Sequence, residues 1–177
     1  MPRKCIAYLA ISADGFIARK DGSVDWLDRP HPKGAYGMPA FLQSIDTILW
    51  GRKTYEQALA FGGVDSISKT AKHFVFSTTP QSAPGVTFVN TPIPQFAKNL
   101  RRRAGSNVWL MGGAGLFASF LDARQLDELI LHIIPTVIGE GIPLFAPAKR
   151  TVEMTLLSSR RFADGVVRLH YAIPARR

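Results

Sequence analysis

Three short segments put glycine, cationic or hydroxyl residues where a strand should pass into a helix, and each could hold an anion. The first is Met111-Gly112-Gly113-Ala114-Gly115-Leu116-Phe117, directly after an apolar run at 107–111 and opening a helical run at 114–121. Glycines there let the backbone approach a pyrophosphate, whose charge the helix amides and dipole attract. The run is short of the full GxGxxG spacing, and the same glycines equally suit a tight turn that needs them for its dihedrals. The second is Gly51-Arg52-Lys53-Thr54-Tyr55-Glu56. Two cations at a helix N-terminus oppose the dipole by a few tenths of a kcal/mol each, where Asp, Glu, Ser or Thr is the usual choice. An anionic ligand would reverse that penalty; two solvated side chains capped by Thr54 would bear it. The third is Ser77-Thr78-Thr79 after the strand-like 72–77, a hydroxyl cluster that suits a phosphate or ordinary turn chemistry.

Other chemistries find little support. His31, His73, His132 and His170 lack metal-ligand spacing, and Cys5 has no second cysteine for a zinc site or an internal disulfide. His132 sits in an apolar strand and reads as a satisfied core residue. No Gly-x-Ser-x-Gly elbow, Walker loop or zinc-deaminase signature occurs.

The elements that must position the three segments alternate. Strands are predicted at 4–12, 45–50, 72–77, 86–89, 107–111, 127–134, 152–161 and 165–173, with helices at 38–44, 53–59, 93–104 and 114–121. A long polar loop follows the first strand, and Asp164-Gly165 signals a hairpin between the last two strands. Strand–helix alternation up to Leu121, then mostly strand, predicts an α/β fold: a largely parallel eight-stranded sheet with about four flanking helices and a C-terminal antiparallel hairpin. No repeat or linker divides residues 1–177, so a single domain is expected.

The 177 residues are 46% hydrophobic and 20% charged, enough apolar side chain for a full core. No apolar run approaches the ~18 residues of a membrane span and no signal-peptide layout opens the chain, so a cytoplasmic protein is expected. The +9 charge raises the question of an anionic partner. Its clusters are Arg101 to Arg103, Lys149-Arg150, Arg160-Arg161 and Arg176-Arg177. The triplet falls at a predicted helix C-terminus, where cations complement the dipole, and it lacks interleaved aromatics; a nucleic-acid partner is therefore not expected.

In order and spacing, these segments resemble the dihydrofolate reductase superfamily over nearly the whole chain. Ser12-Ala13-Asp14-Gly15-Phe16-Ile17-Ala18 and Asp25-Trp26-Leu27 look most like the branch holding the bacterial riboflavin-pathway reductase domain and its stand-alone relatives. Gly51 to Tyr55 is similar to that family's cofactor phosphate motif, Gly112 to Phe117 to its pyrophosphate loop, and Gly139 to Phe145 to a late loop of the same branch. The resemblance implies that NADP(H) is bound, with Ala10 and Ile17 beside the nicotinamide. It implies Gly51, Arg52, Lys53 and Thr54 at the cofactor phosphates, Ser77 and Thr78 at the adenosine ribose or its 2′-phosphate, and Met111, Gly112, Gly113, Ala114, Gly115, Leu116 and Phe117 around the pyrophosphate. Basic and hydroxyl groups there favour NADP over NAD, which would call for an acid at the ribose.

Folate reductases of the superfamily carry a carboxylate on the first helix. Here the segment from about Tyr36 to Ser44 has none, which argues against efficient dihydrofolate reduction. Asp14 and Asp25 are the acids nearest the expected nicotinamide and the candidates for proton handling; turn formation and capping are their ordinary roles. Trp26, Tyr36 and Phe41 could wall a flat heterocycle or simply pack. The expectation is an NADPH-dependent reductase of a small pterin- or pyrimidine-like substrate, with a non-catalytic nucleotide-binding module on the same fold as the alternative. Homodimerisation, common among the stand-alone relatives, would suit the edge hairpin.

Overall fold

A computed structural model describes residues 3–30, 34–79, 81–145 and 151–174, with Ala35 described by its backbone alone. His31, Lys149, Arg150, Arg176 and Arg177 of the sequence reading lie outside the described residues.

The first strand, β1 (Cys5–Ser12), runs through the middle of the molecule because both of its faces are apolar. Alternation sends Cys5, Ala7 and Ile11 to one face, and Ile6 and Tyr8 to the other. Around it lie β3 (Ile45–Gly51), β4 (Lys72–Phe76), β5 (Val86–Val89), β6 (Asn107–Gly112) and β7 (Glu128–Ile134), followed by β9 (Thr155–Arg161) and β10 (Val167–Ala172). The sheet order is β5-β4-β3-β6-β1-β7-β10-β9. All pairings from β5 to β7 are parallel, and β10 and β9 close the edge antiparallel. The eight strands and four helices are those the residue pattern predicts.

Helices α3 (Ile93–Arg101) and α4 (Ala114–Asp122) cover one face through Leu100, Phe117 and Phe120. Helices α1 (Met38–Gln43) and α2 (Arg52–Ala60) cover the other through Phe41 and Tyr55. Helix α3 ends at Arg101, earlier than the sequence predicts. The Arg101 guanidinium donates to Asp127 at 2.9 Å, and Asp127 also accepts the Cys5 amide at 2.7 Å. The first arginine of the triplet thus ties a helix C-terminus to the strand ends.

One pairing inside the long loop was not anticipated. Strand β2 (Phe16–Ala18) lies antiparallel to β8 (Ile142–Pro143). Gly141 permits it, since a Cβ there would stand 2.3 Å from the Ala18 carbonyl oxygen.

Candidate cofactor and substrate site

Strands β3 and β6 are parallel neighbours, and each feeds a helix through glycine at its carboxyl end. This is the end of an open α/β sheet at which ligands bind, and the chain reverses its strand order here by inserting β6 between β1 and β3. The two turns touch. A Cβ on Gly51 would stand 3.3 Å from both the Gly112 carbonyl oxygen and the Gly113 nitrogen. One on Gly113 would stand 3.1 Å from Thr54 Oγ1 and 3.9 Å from Ile17 Cδ1. Gly112 itself has φ +104°, a left-handed conformation that favours glycine. Ile17, Gly51, Thr54, Gly112, Gly113 and Leu116 therefore converge.

Both helix starts lack the usual side-chain caps. Neither α2 nor α4 has a side-chain N-cap bond, and neither has an acid in its first turn. Arg52 pairs with Glu56 one turn on at 2.6 Å. Lys53 is exposed, with no ion pair among the described residues. Register aligns Gly51 with Phe76, so Ser77 follows β4 beside the start of α2. The Ser77 hydroxyl closes its own turn, donating to the Thr79 carbonyl at 2.9 Å, and Thr78 is exposed. Met111 lies near the end of β6 and Ala114 and Gly115 open α4, whereas Phe117 is buried in the core against Phe145.

Across the sheet, at the end of β1, the aromatic candidates fall into two joined groups. Trp26, in a short 3-10 turn (Asp25–Leu27), packs with Ile134, Phe162 and Val166, and Ala10 and Tyr36 border them. Phe41 stacks on Tyr8 with ring centroids 4.4 Å apart. The Tyr8 ring also lies 4.7 Å from His132, and the Tyr8 hydroxyl donates to the Tyr36 carbonyl, which links the groups. The Tyr36 hydroxyl donates to Asp164; burial first, then that carboxylate, pushes the phenol up to about 12.

The two candidate acids have partners within the neighbouring loops. Asp14 accepts the amides of Ile138 at 3.2 Å and Gly139 at 2.7 Å, joining the loop after β1 to the loop before β8. The Ser12 hydroxyl and these amides hold its carboxyl below the usual range. Asp25 forms a two-point ion pair with Arg19, at 2.6 and 2.9 Å, which likewise holds it low. Both are exposed anions at neutral pH.

One residue departs from the sequence reading. His132 is buried, as expected of a strand interior, but its Nε2 has no hydrogen-bond partner. A lone histidine in Glu-Leu-Ile-Leu-His-Ile-Ile carries no signal of that; only the three-dimensional neighbours reveal it.

Residues 3–168 match the RibD C-terminal domain. The chain belongs to the RibD C-terminal domain family. It is 39% identical over 174 residues to the uncharacterized protein YwjB of Bacillus subtilis, covering 97% of this chain and 98% of that one. A crystal structure of a protein ascribed to riboflavin biosynthesis in Shewanella sp. PV-4 superposes with a TM-score of 0.86 at 25% identity, covering 99% and 100% of the two chains. The diaminohydroxyphosphoribosylaminopyrimidine deaminase/5-amino-6-(5-phosphoribosylamino)uracil reductase of Thermotoga maritima superposes at 0.73 and 16% identity, over 98% of this chain and 57% of that one. Dihydrofolate reductase from Enterococcus faecalis, complexed with NADP(H), does so at 0.71 and 18% identity, over 97% of each chain. The RibD C-terminal domain here thus has the dihydrofolate reductase-like fold.

Proposed function

We propose that this protein is an NADPH-dependent reductase that delivers a hydride to a small heterocycle of pterin or pyrimidine type, and that it is not an efficient dihydrofolate reductase. The observation that carries the reading is the contact of two glycine turns at the carboxyl ends of β3 and β6, each opening an uncapped helix. A dinucleotide fits these residues: side chains at Gly51 or Gly113 would crowd the junction between the two turns, and the helix amides there face an anion-attracting field.

In this reading Gly51, Arg52, Lys53 and Thr54 hold cofactor phosphates, Met111 to Leu116 wrap the pyrophosphate, and Ser77 with Thr78 meets the adenosine ribose or its 2′-phosphate, while Phe117 anchors the turn in the core. Ala10 and Ile17 flank the nicotinamide. When bound, NADPH supplies the hydride; the chain supplies orientation, electrostatics and exclusion of water. Trp26, Tyr36 and Phe41 wall the substrate, with Asp14 and Asp25 holding the adjoining loop as anions. Helix α1, Met-Pro-Ala-Phe-Leu-Gln, offers no carboxylate to protonate a pterin, which is the ground for setting folate aside. The reductase named in Thermotoga and the NADP(H) complex of the Enterococcus enzyme support the chemical class.

The same lack of an acid favours a second reading, a nucleotide-binding module without turnover. Loss of NADPH absorbance with a panel of pterins and aminopyrimidines separates the two. Turnover that a Lys53→Glu variant lacks supports the reductase; NADPH binding with no turnover on any member supports the module.

Assembly as a homodimer through β9 belongs to this proposal, because all seven residues of that edge strand are exposed, with Leu156 and Leu157 half accessible. A cytoplasmic location is part of it; no helix among the described residues is long and apolar enough to cross a membrane.

A further inference from the structure

Among the described residues, two buried side-chain polar atoms have no hydrogen-bond partner: His132 Nε2 and Trp26 Nε1. A buried polar atom without a partner is costly, and in a native protein it calls for an explanation. His132 is 3% exposed and lies on β7 beside Ala10 of β1 and Arg168 of β10. Its ring centroid is 4.7 Å from Tyr8, 5.7 Å from Tyr36 and 6.4 Å from Phe162. Trp26 packs in the cluster of Ala10, Tyr36 and Phe162, so both orphan groups border one aromatic wall at the end of β1. Tyr36 closes that wall from a left-handed backbone conformation (φ 60°), unfavourable for an aromatic residue and found chiefly where function requires it.

We propose that His132 is a substrate-contacting residue, whose Nε2 hydrogen-bonds the polar edge of a planar heterocycle held against the Tyr8, Tyr36 and Phe162 rings. The proposal rests on the reductase reading and deepens it, naming the polar anchor in a site whose first helix carries no acid. Burial holds the imidazole below its ordinary value and the Arg168 charge on the neighbouring strand adds to that, while hydrogen bonding of the ring to the Leu9 and Tyr36 backbone acts the other way. The imidazole Nε2 donates or accepts according to its tautomer, so it can meet a carbonyl, an amide or a ring nitrogen at the edge of a heterocycle. The neighbouring acids are committed elsewhere: Asp14 to the Ile138 and Gly139 amides, Asp25 to Arg19, Asp164 to Tyr36.

The test uses the full chain labelled with 15N-histidine, saturated with NADP+ and titrated with pterin and with 5,6-diaminouracil. Tryptophan quenching follows binding, and NMR follows the ring nitrogens, assigned through single His→Gln variants. The expected result is a saturable shift of the His132 Nε2 resonance with those of His73 and His170 unmoved. His132→Phe, which keeps a flat apolar ring, is expected to weaken the probe by about tenfold or more while leaving NADP+ affinity within about twofold, and His132→Asn to restore part of the loss. Unmoved His132 resonances in a complex that forms, or a His132→Phe variant that binds as tightly as wild type, overturns the proposal. Failure of both probes to bind the NADP+-saturated protein overturns it too, and leaves the reductase reading standing. Failure of NADP+ itself to bind takes down that reading and the proposal together.

Discussion

Gly51 and Gly113 lock the two strand-to-helix turns together: a β-carbon on Gly51 would lie 3.3 Å from the Gly113 nitrogen. The constraint is steric alone, since Gly51 has φ −75°, a conformation any residue adopts. Its neighbours are backbone atoms held by β6, which cannot rotate aside. Around Gly113 the nearest atom is the Thr54 hydroxyl, which can.

Gly51→Ala should therefore destabilise the fold by about 1–3 kcal/mol, in the range of core overpacking, and weaken NADPH binding. Gly113→Ala should cost less stability, because Thr54 can change rotamer. Thermal melts of the two variants check the order; equal melting temperatures would mean that the turns do not press on each other as described.

Arg52→Glu with Lys53→Glu should abolish NADPH binding while changing stability by no more than about 1 kcal/mol. The acids complement the α2 dipole, which offsets the lost Arg52–Glu56 pair and the new repulsion from Glu56. Unaltered NADPH affinity in a folded double variant would remove both cations from the phosphate site.

Asp14→Ala should loosen the loop carrying Ile17 from the loop before β8, since the Ile138 and Gly139 amides lose their shared acceptor. The expected signature is faster amide exchange at Ile138 and Gly139 and a reduced NADPH affinity. Asp14→Asn, which keeps one acceptor oxygen, should do less harm. If instead Asp14→Ala binds NADPH normally and loses only turnover, Asp14 handles the proton.

Acid sensitivity should have a source far from the site. Burial raises the Glu128 carboxyl, but hydrogen bonds and charge from Lys4 and His170 outweigh it and leave its pKa below the ordinary 4.5. A carboxyl depressed on folding contributes stability that is full above its unfolded value and is lost as pH falls through the folded one. Glu128→Gln should therefore flatten the stability curve below about pH 4.5, the ordinary glutamate range, and an unchanged acid limb would assign it elsewhere.

Leu156→Lys with Leu157→Lys should convert a β9-mediated dimer to monomer in sedimentation velocity, because β9 offers both side chains to solvent. A wild-type protein already monomeric at high concentration would end the dimer proposal.

Most of the sheet and its helices were legible because the apolar period changes from two to three or four at each boundary, as between Trp50 and Tyr55. The β2–β8 pair was not. It has three residues against two and is fixed by the approach of Gly141 to Ala18, a contact between segments far apart in sequence. The two strand-to-helix turns at Gly51 and Gly113 were legible through their glycines. The partners of Asp14 and Asp25 were not, since which amide or guanidinium a loop acid meets depends on loop geometry. His132 was least legible: nothing in an apolar strand tells a satisfied histidine from one with a bare nitrogen.

Titrating the wild-type chain with NADPH and, separately, NADH while following Trp26 and Trp50 fluorescence tests the central claim most directly. Trp50 precedes Gly51 in β3, and Trp26 packs near Ala10. Saturable quenching with NADPH bound more tightly than NADH is the predicted result. No saturable binding of either nucleotide would contradict the account.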